Sequence, residues 1–378
     1  MNNSGHNDIA EVKNAIIDTI KLLIYKENPA LLEKVDFNDD NVFTEPLLYA
    51  YFNGKRDFLF SQSLLVEILQ GYFKDLKNPE FNYSYNRKGV AYLPKLGYYE
   101  DGEKKGDILK VQEFEILKEI HPVLERYFFQ FYKGHIVNRE PVHNPAWETS
   151  YNQLEMALII LKHHTPDFYE ELVFANKKIY LHDNTKILNF TSIETLGMLF
   201  LYITGSHNLV YFIEELVHQG SHNYFYYQIY RKDEIFKISS ATPMRELGGS
   251  EWDYRDLYGA FHGLYTVCRR VECFDILISQ NAFKGAEKHE LLARMADQFT
   301  RFRTGLEKLD HNSVFTREGS ALYTSLDQRC ASTLEKYRNL QNLFNLKNRD
   351  LDLRYDEFLK DNTIHDFYLL EAKGAFNY

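Results

Sequence analysis

Apolar residues recur at helical spacing along most of this 378-residue chain, and that recurrence restricts it to a largely helical fold. Ile9, Val12, Ile16, Ile17, Ile20, Leu23 and Ile24 form one such stripe over residues 8–27, with Asp8 placed to cap it. A similar pattern covers 60–76, and another at 109–133 uses Phe114, Ile116, Leu117, Ile120, Val123, Leu124, Tyr127 and Phe128. Further helices are expected at 151–163, 206–230, 255–272, 284–309 and 318–347. Residues 80–107 read instead as strand or loop ending in the charged turn Glu100 to Gly106, and 177–182 and 196–203 read as strands. The expected class is mainly α (α+β), a helical protein with a small antiparallel sheet beside the helix that carries the candidate site. His135 to Trp147, which includes Pro141 and Pro145, breaks the helical pattern and suggests a boundary. Residues 1–140 are then a helical N-terminal region assigned to substrate recognition, and 141–378 a metal-binding catalytic domain.

Composition narrows the function classes. Hydrophobic residues make up 44% of the chain, ample for a large core, and the 28 Tyr and 28 Phe belong mostly there. Net charge is −10 and no Lys/Arg block exceeds two residues, which argues against nucleic-acid binding. Cys268, Cys273 and Cys330 are too few for a disulfide framework and lack zinc-ribbon spacing. The polar N-terminus has no signal-peptide pattern and no apolar run reaches membrane-spanning length, so a cytoplasmic protein without a membrane partner is expected.

The chemistry concentrates in Glu214-Glu215-Leu-Val-His218-Gln219-Gly-Ser-His222. Two imidazoles four residues apart on a helix lie one turn apart on the same face and can reach one metal ion. Spacing alone is weak evidence, because 14 His in 378 residues yield about half of one such pair by chance. The surroundings carry more. Leu209, Phe212, Ile213, Leu216 and Val217 make the core stripe of this helix, Ser206 or Asn208 can cap it, and the histidines border the stripe. Gly220 in the helix interior costs about 1 kcal/mol relative to Ala, which points to close packing there. Zinc peptidases place a Glu directly after the first His to deprotonate water, whereas this chain has Gln219. Metal-gripping geometry without a hydrolytic base points to a metal that performs its own chemistry.

A third ligand is needed. His262, in Leu257-Tyr-Gly-Ala-Phe-His262-Gly, lies on the next long helix among the small residues Gly259, Ala260 and Gly263, which allow close helix packing. Glu251, Asp253 and Asp256 compete for the role, since two His and one carboxylate make the facial triad of non-haem iron oxygenases. Arg245 and Arg255 lie between the pair and His262, and either guanidinium could grip a carboxylate, or else form an ordinary salt bridge with Glu246, Asp253 or Asp256.

With these residues in view, the region 150–275 resembles the peptide-modification proteins with a HExxH-type motif, the 2-oxoglutarate- and iron-dependent peptide β-hydroxylases. The likeness runs through the apolar segment Met198 to Ile203, Leu216-Val217-His218 to His222, Pro243 to Arg245, and Arg255 through Gly259 to His262. Gln219 replaces the family's Glu, and Asp256 stands where a Pro often follows the Arg. The resemblance implies Fe(II) held by His218, His222 and His262, and 2-oxoglutarate anchored by Arg255 or Arg245. It also implies hydroxylation of a peptide side chain at the β-carbon, in the maturation of a precursor peptide with a leader. A peptide could lie along the 197–203 strand, with Tyr224, Tyr226 or Tyr227 lining its side chain. The rival readings are a non-catalytic peptide-binding protein and a zinc hydrolase using Glu214 or Glu215 as base.

Overall fold

The computed structural model describes residues 4–54, 62–76, 78–80, 85–86, 88–129, 145–185, 187–251, 253–347 and 353–378. Helix predominates among them, accompanied by two small sheets, as the apolar periodicity implies. The chain divides into two compact units, one of residues 1–152 with 173–205 and one of 153–172 with 206–378. Most of the proline-containing segment expected to mark a boundary near 140 falls outside the described residues. Among the described residues no helix is long and apolar enough to cross a membrane.

In the first unit, helix Ser4–Glu27 begins before Asp8 and buries Ile9, Ile16, Ile17, Ile20 and Ile24. Its other long elements include helices Pro46–Asn53, Gln62–Leu69 and Pro122–Phe129. Proline opens two of these because its missing N–H would be unpaired in a first turn anyway. Strands β1 (Val90–Leu93), β2 (Gly97–Glu100) and β3 (Glu103–Gly106) form an antiparallel meander where strand or loop was expected.

The stretch 109–117 departs from the helix that its periodicity suggests. It forms a hairpin of β4 (Leu109–Val111) and β5 (Phe114–Leu117), turning at Gln112 with φ 52°. The reason lies in cross-strand pairing: Leu109 meets Ile116 and Val111 meets Phe114 on one face, while Lys110 meets Glu115 on the other. Helix starts only at Pro122. β6 (Lys178–His182) and β7 (Met198–Tyr202) then extend the sheet in the order β4-β5-β6-β7, and both join in parallel. Their near-continuous burial explains why Lys-Ile-Tyr-Leu-His and Met-Leu-Phe-Leu-Tyr read as apolar runs without alternation. The free edge of β7 is taken: Phe190 exchanges both backbone hydrogen bonds with Phe200, and Asn189 Oδ1 accepts from the Tyr202 N–H at 2.7 Å. The strand addition of a peptide expected at 197–203 therefore finds no open edge over those residues.

Beneath this sheet Lys178 is buried with its ammonium 2.6 Å from Glu115 Oε2, 3.2 Å from Glu45 Oε2 and 2.9 Å from Tyr92 Oη. Tyr72 Oη donates to Glu45 Oε2 at 2.6 Å and Tyr92 Oη donates to Glu115. Each charge in the cluster has a partner, which is the condition for tolerating it in a core.

The second unit is helical. The histidine helix, Leu209–Gln228, packs against a facing helix, Leu257–Ser279, which also meets Gly285–Arg301 and Arg317–Lys336. Phe212, Ile213, Leu216, Phe225, Leu257, Phe261, Leu264, Phe274, Leu291, Leu292 and Met295 of these helices are buried. Thr316 caps Arg317–Lys336 by accepting from the Gly319 N–H. A Cβ at Gly319 would sit 2.1 Å from the Ile235 carbonyl oxygen, so only glycine allows that approach. Tyr355–Asp361 and Ile364–Ala372 close the unit.

Candidate functional site

The histidine helix is set in place by a cap at its start and by a buried charge cluster on the same side as its histidines. Asn208 caps it, its Oδ1 accepting from the N–H groups of Val210 at 3.0 Å and Tyr211 at 3.4 Å, which decides between the two expected caps. Two residues further into the helix than its first turn, the buried Glu214 accepts from Arg270 Nη1 at 3.0 Å, from Arg294 Nη1, and from Gln298 Nε2 at 3.3 Å. Arg294 also pairs with Glu290, which accepts from Asn208 Nδ2. Burial opposes ionisation of Glu214, but the guanidiniums of Arg294, Arg270 and Arg301 outweigh it and hold its carboxyl below the usual range. Glu215, buried and beside Glu214, goes the other way, to about 7.

One and two turns beyond Glu214, on the same side of the helix, lie His218 and His222, and the expected histidines come together in part. His222 Nδ1 lies 3.0 Å from His262 Nδ1, the two rings nearly parallel at 11° with centroids 5.3 Å apart. The His218 ring follows one turn away, 5.1 Å from that of His222. His218 Nδ1 is 3.5 Å from Glu215 Oε2 and 3.3 Å from Gln219 Nε2, and Gln219 Nε2 donates to Glu215 Oε2 at 3.2 Å. Phe225, which stacks on Tyr265 at 4.0 Å, meets the His262 ring edge-on at 4.9 Å. Burial pushes His222 well below the ordinary imidazole range, helped by His218 and Arg270; His262 is pushed down by burial, His222 and Lys232. Both rings are therefore neutral at pH 7 and each keeps a lone pair.

The spacing of two of these residues is within the range two metal-bound imidazoles take. Imidazole nitrogens bound to one ion at about 2.0–2.1 Å sit roughly 3.0–3.4 Å apart, the separation that His222 and His262 already have. Without an ion the same spacing is a single N–H···N bond between neutral rings. Among the described residues, His262 Nε2 is left buried with no hydrogen-bond partner. Among the described residues, no three His, Cys, Asp or Glu side chains are grouped so as to hold one ion, so His218 does not complete a triad in this conformation.

The competing carboxylates are engaged elsewhere. Asp256 caps the facing helix, accepting from the Gly259 N–H at 2.7 Å. Asp253 receives both Nε and Nη2 of Arg255, at 2.8 and 2.7 Å, and Arg255 Nη2 also donates to the Thr304 carbonyl. Glu251 is exposed. Arg255, expected as an anchor for a cosubstrate, thus has its fork closed by Asp253, and Gly305 makes room for the pair at φ 86°. Arg245 is exposed on the turn Met244–Leu247. Gly220 borders a cavity of about 10 Å³ lined also by Leu161, Phe168 and Tyr224, roughly the space of one water. Tyr224 borders the same space.

Sequence reasoning missed Tyr258 and Lys232. Tyr258 stands one turn before His262, its ring 4.2 Å away, and its buried hydroxyl has no hydrogen-bond partner. Lys232 holds its ammonium 3.8 Å from the Tyr258 ring centroid. The i, i+4 spacing of Tyr258 and His262 was a readable signal; nothing local marks Lys232.

No known family model matches the chain, and no curated protein matches it. The resemblance drawn above therefore rests on its short motifs alone.

Proposed function

We propose that the histidine face binds Fe(II) and that the protein is a 2-oxoglutarate-dependent oxygenase hydroxylating a peptide or amino-acid side chain at the β-carbon. Its substrate in this reading is a precursor peptide undergoing maturation. The observation that carries the reading is the approach of His222 Nδ1 and His262 Nδ1 to 3.0 Å from two packed helices, with His262 Nε2 unsatisfied. His222 and His262 would hold the ion, and His218 would supply the third nitrogen by rotating its side chain. Glu215 beside His218 Nδ1 supports this, because a carboxylate on one ring nitrogen fixes the tautomer and leaves the other free to ligate. The oxidant would be dioxygen, one atom passing to the substrate and one to succinate as 2-oxoglutarate is oxidised with loss of carbon dioxide, and bound iron would supply the activation. The chain's own part is to hold imidazoles from two packed helices, with Gln219 standing where zinc peptidases carry their base and Glu215 beside His218 instead.

A second reading, a metal-free peptide-binding protein, is favoured by the closed Arg255–Asp253 fork and by the incomplete triad. One experiment separates them. The purified protein is titrated with Fe(II) under anaerobic conditions, and succinate release from 2-oxoglutarate is then measured in air. Stoichiometric iron, lost in His222→Ala and His262→Ala, with 2-oxoglutarate turnover supports the oxygenase. Failure to bind metal leaves the binding protein, and selective zinc uptake with peptide cleavage overturns both.

A further inference from the structure

Beside His262 the structure holds two polar groups that its own contacts do not use. Tyr258 Oη is buried without a hydrogen-bond partner among the described residues, and a hydroxyl so placed destabilises the protein unless something else meets it. His262 Nε2 has the same want one helical turn on. Lys232, half-buried, forms no ion pair among the described residues, and its ammonium rests over the Tyr258 ring at 3.8 Å. Two hydrogen-bonding atoms and a cation on one spot suit an anionic oxygen ligand, although the Asp256 carboxylate, which caps the helix, is also close enough to act on Tyr258. Arg255 cannot serve that ligand while Asp253 fills its fork.

We infer that Tyr258 and Lys232 form the anion-recognition half of the histidine site, with Tyr258 Oη donating to a carboxylate of a small ligand seated against His262. This rests on the proposal that the histidine face is a metal and ligand site, and it reassigns the anchoring of 2-oxoglutarate from Arg255 to Tyr258 and Lys232.

The test uses the full chain loaded with Co(II), with 2-oxoglutarate binding measured by calorimetry and the metal-free protein followed by thermal melting. Tyr258→Phe is expected to keep Co(II) affinity within about twofold and to weaken 2-oxoglutarate about tenfold, the effect of losing a hydrogen bond to a charged group. It is also expected to melt at the same temperature as the parent or higher, since a buried unpaired hydroxyl is removed. Lys232→Gln should weaken 2-oxoglutarate by about tenfold as well. Unchanged 2-oxoglutarate affinity in both variants, with Co(II) still bound, overturns the inference while the metal reading stands. A markedly lower melting temperature for Tyr258→Phe, with the affinity unchanged, makes Tyr258 structural. A parent protein that binds neither Co(II) nor 2-oxoglutarate removes both.

Discussion

The Lys178 cluster of the first unit and the histidine face of the second are both buried and polar, yet they differ in how fully they are satisfied. Lys178, Glu115, Glu45, Tyr92 and Tyr72 consume one another's hydrogen bonds. At the histidine face, His262 Nε2 and Tyr258 Oη are left over. A saturated cluster specifies a fold, whereas several leftover groups of matching chemistry in one place invite a ligand. A lone leftover atom does not. His121 Nε2 is also buried and unpaired, but His121 Nδ1 accepts from the Val123 N–H at 3.1 Å and so caps the helix Pro122–Phe129.

The contrast can be broken at its strongest point first. Lys178→Met should destabilise the protein by about 3–5 kcal/mol in chemical denaturation, because Glu45 and Glu115 are left buried without their cation. A loss below about 1 kcal/mol would show that the cluster is not structural. Next comes acid. Burial depresses His121 to about 3, so the unfolded chain binds the proton first, and stability present above about 6.5 is lost as pH falls towards 3. The loss from this fully buried group is about 1.4 kcal/mol per pH unit in that window. His121→Asn keeps an acceptor for Val123 and should flatten that part of the acid limb in denaturation midpoints measured from pH 7 to 4. The smallest effect belongs to Gly305→Ala, at about 1–2 kcal/mol, since the residue sits at φ 86° and its Cβ would stand 2.9 Å from Asp253 Oδ2. If this substitution left stability intact but changed 2-oxoglutarate affinity, Arg255 would return as the anchor.

Much of the second unit was legible in the residues. Leu209, Phe212, Ile213, Leu216 and Val217 announce a helix because burial on one side imposes the 3.6 period, and Asn208 announces its start. His222 and His262 lie side by side, but Gly259 and Gly263 face Asp256 and Arg255 rather than the histidine helix, so the small residues do not account for the approach. The hairpin at 109–117 was not legible, since Phe114, Ile116 and Leu117 satisfy a strand as well as a helix and the deciding partners lie across the sheet. Nor were the guanidiniums around Glu214, which come from 56 and 80 residues away. Local periodicity carries no record of such distant charge pairing.

Glu214 has a consequence for timing. Its carboxylate is clamped by Arg270 and Arg294 from two separate helices, so the histidine helix cannot roll or slide without stranding a charge in the interior. Any rearrangement that admits an ion is then confined to torsions of individual rings, which occur in nanoseconds to microseconds rather than on the millisecond scale of helix motion. Stopped-flow mixing with Co(II) should accordingly give one fast phase set by concentration.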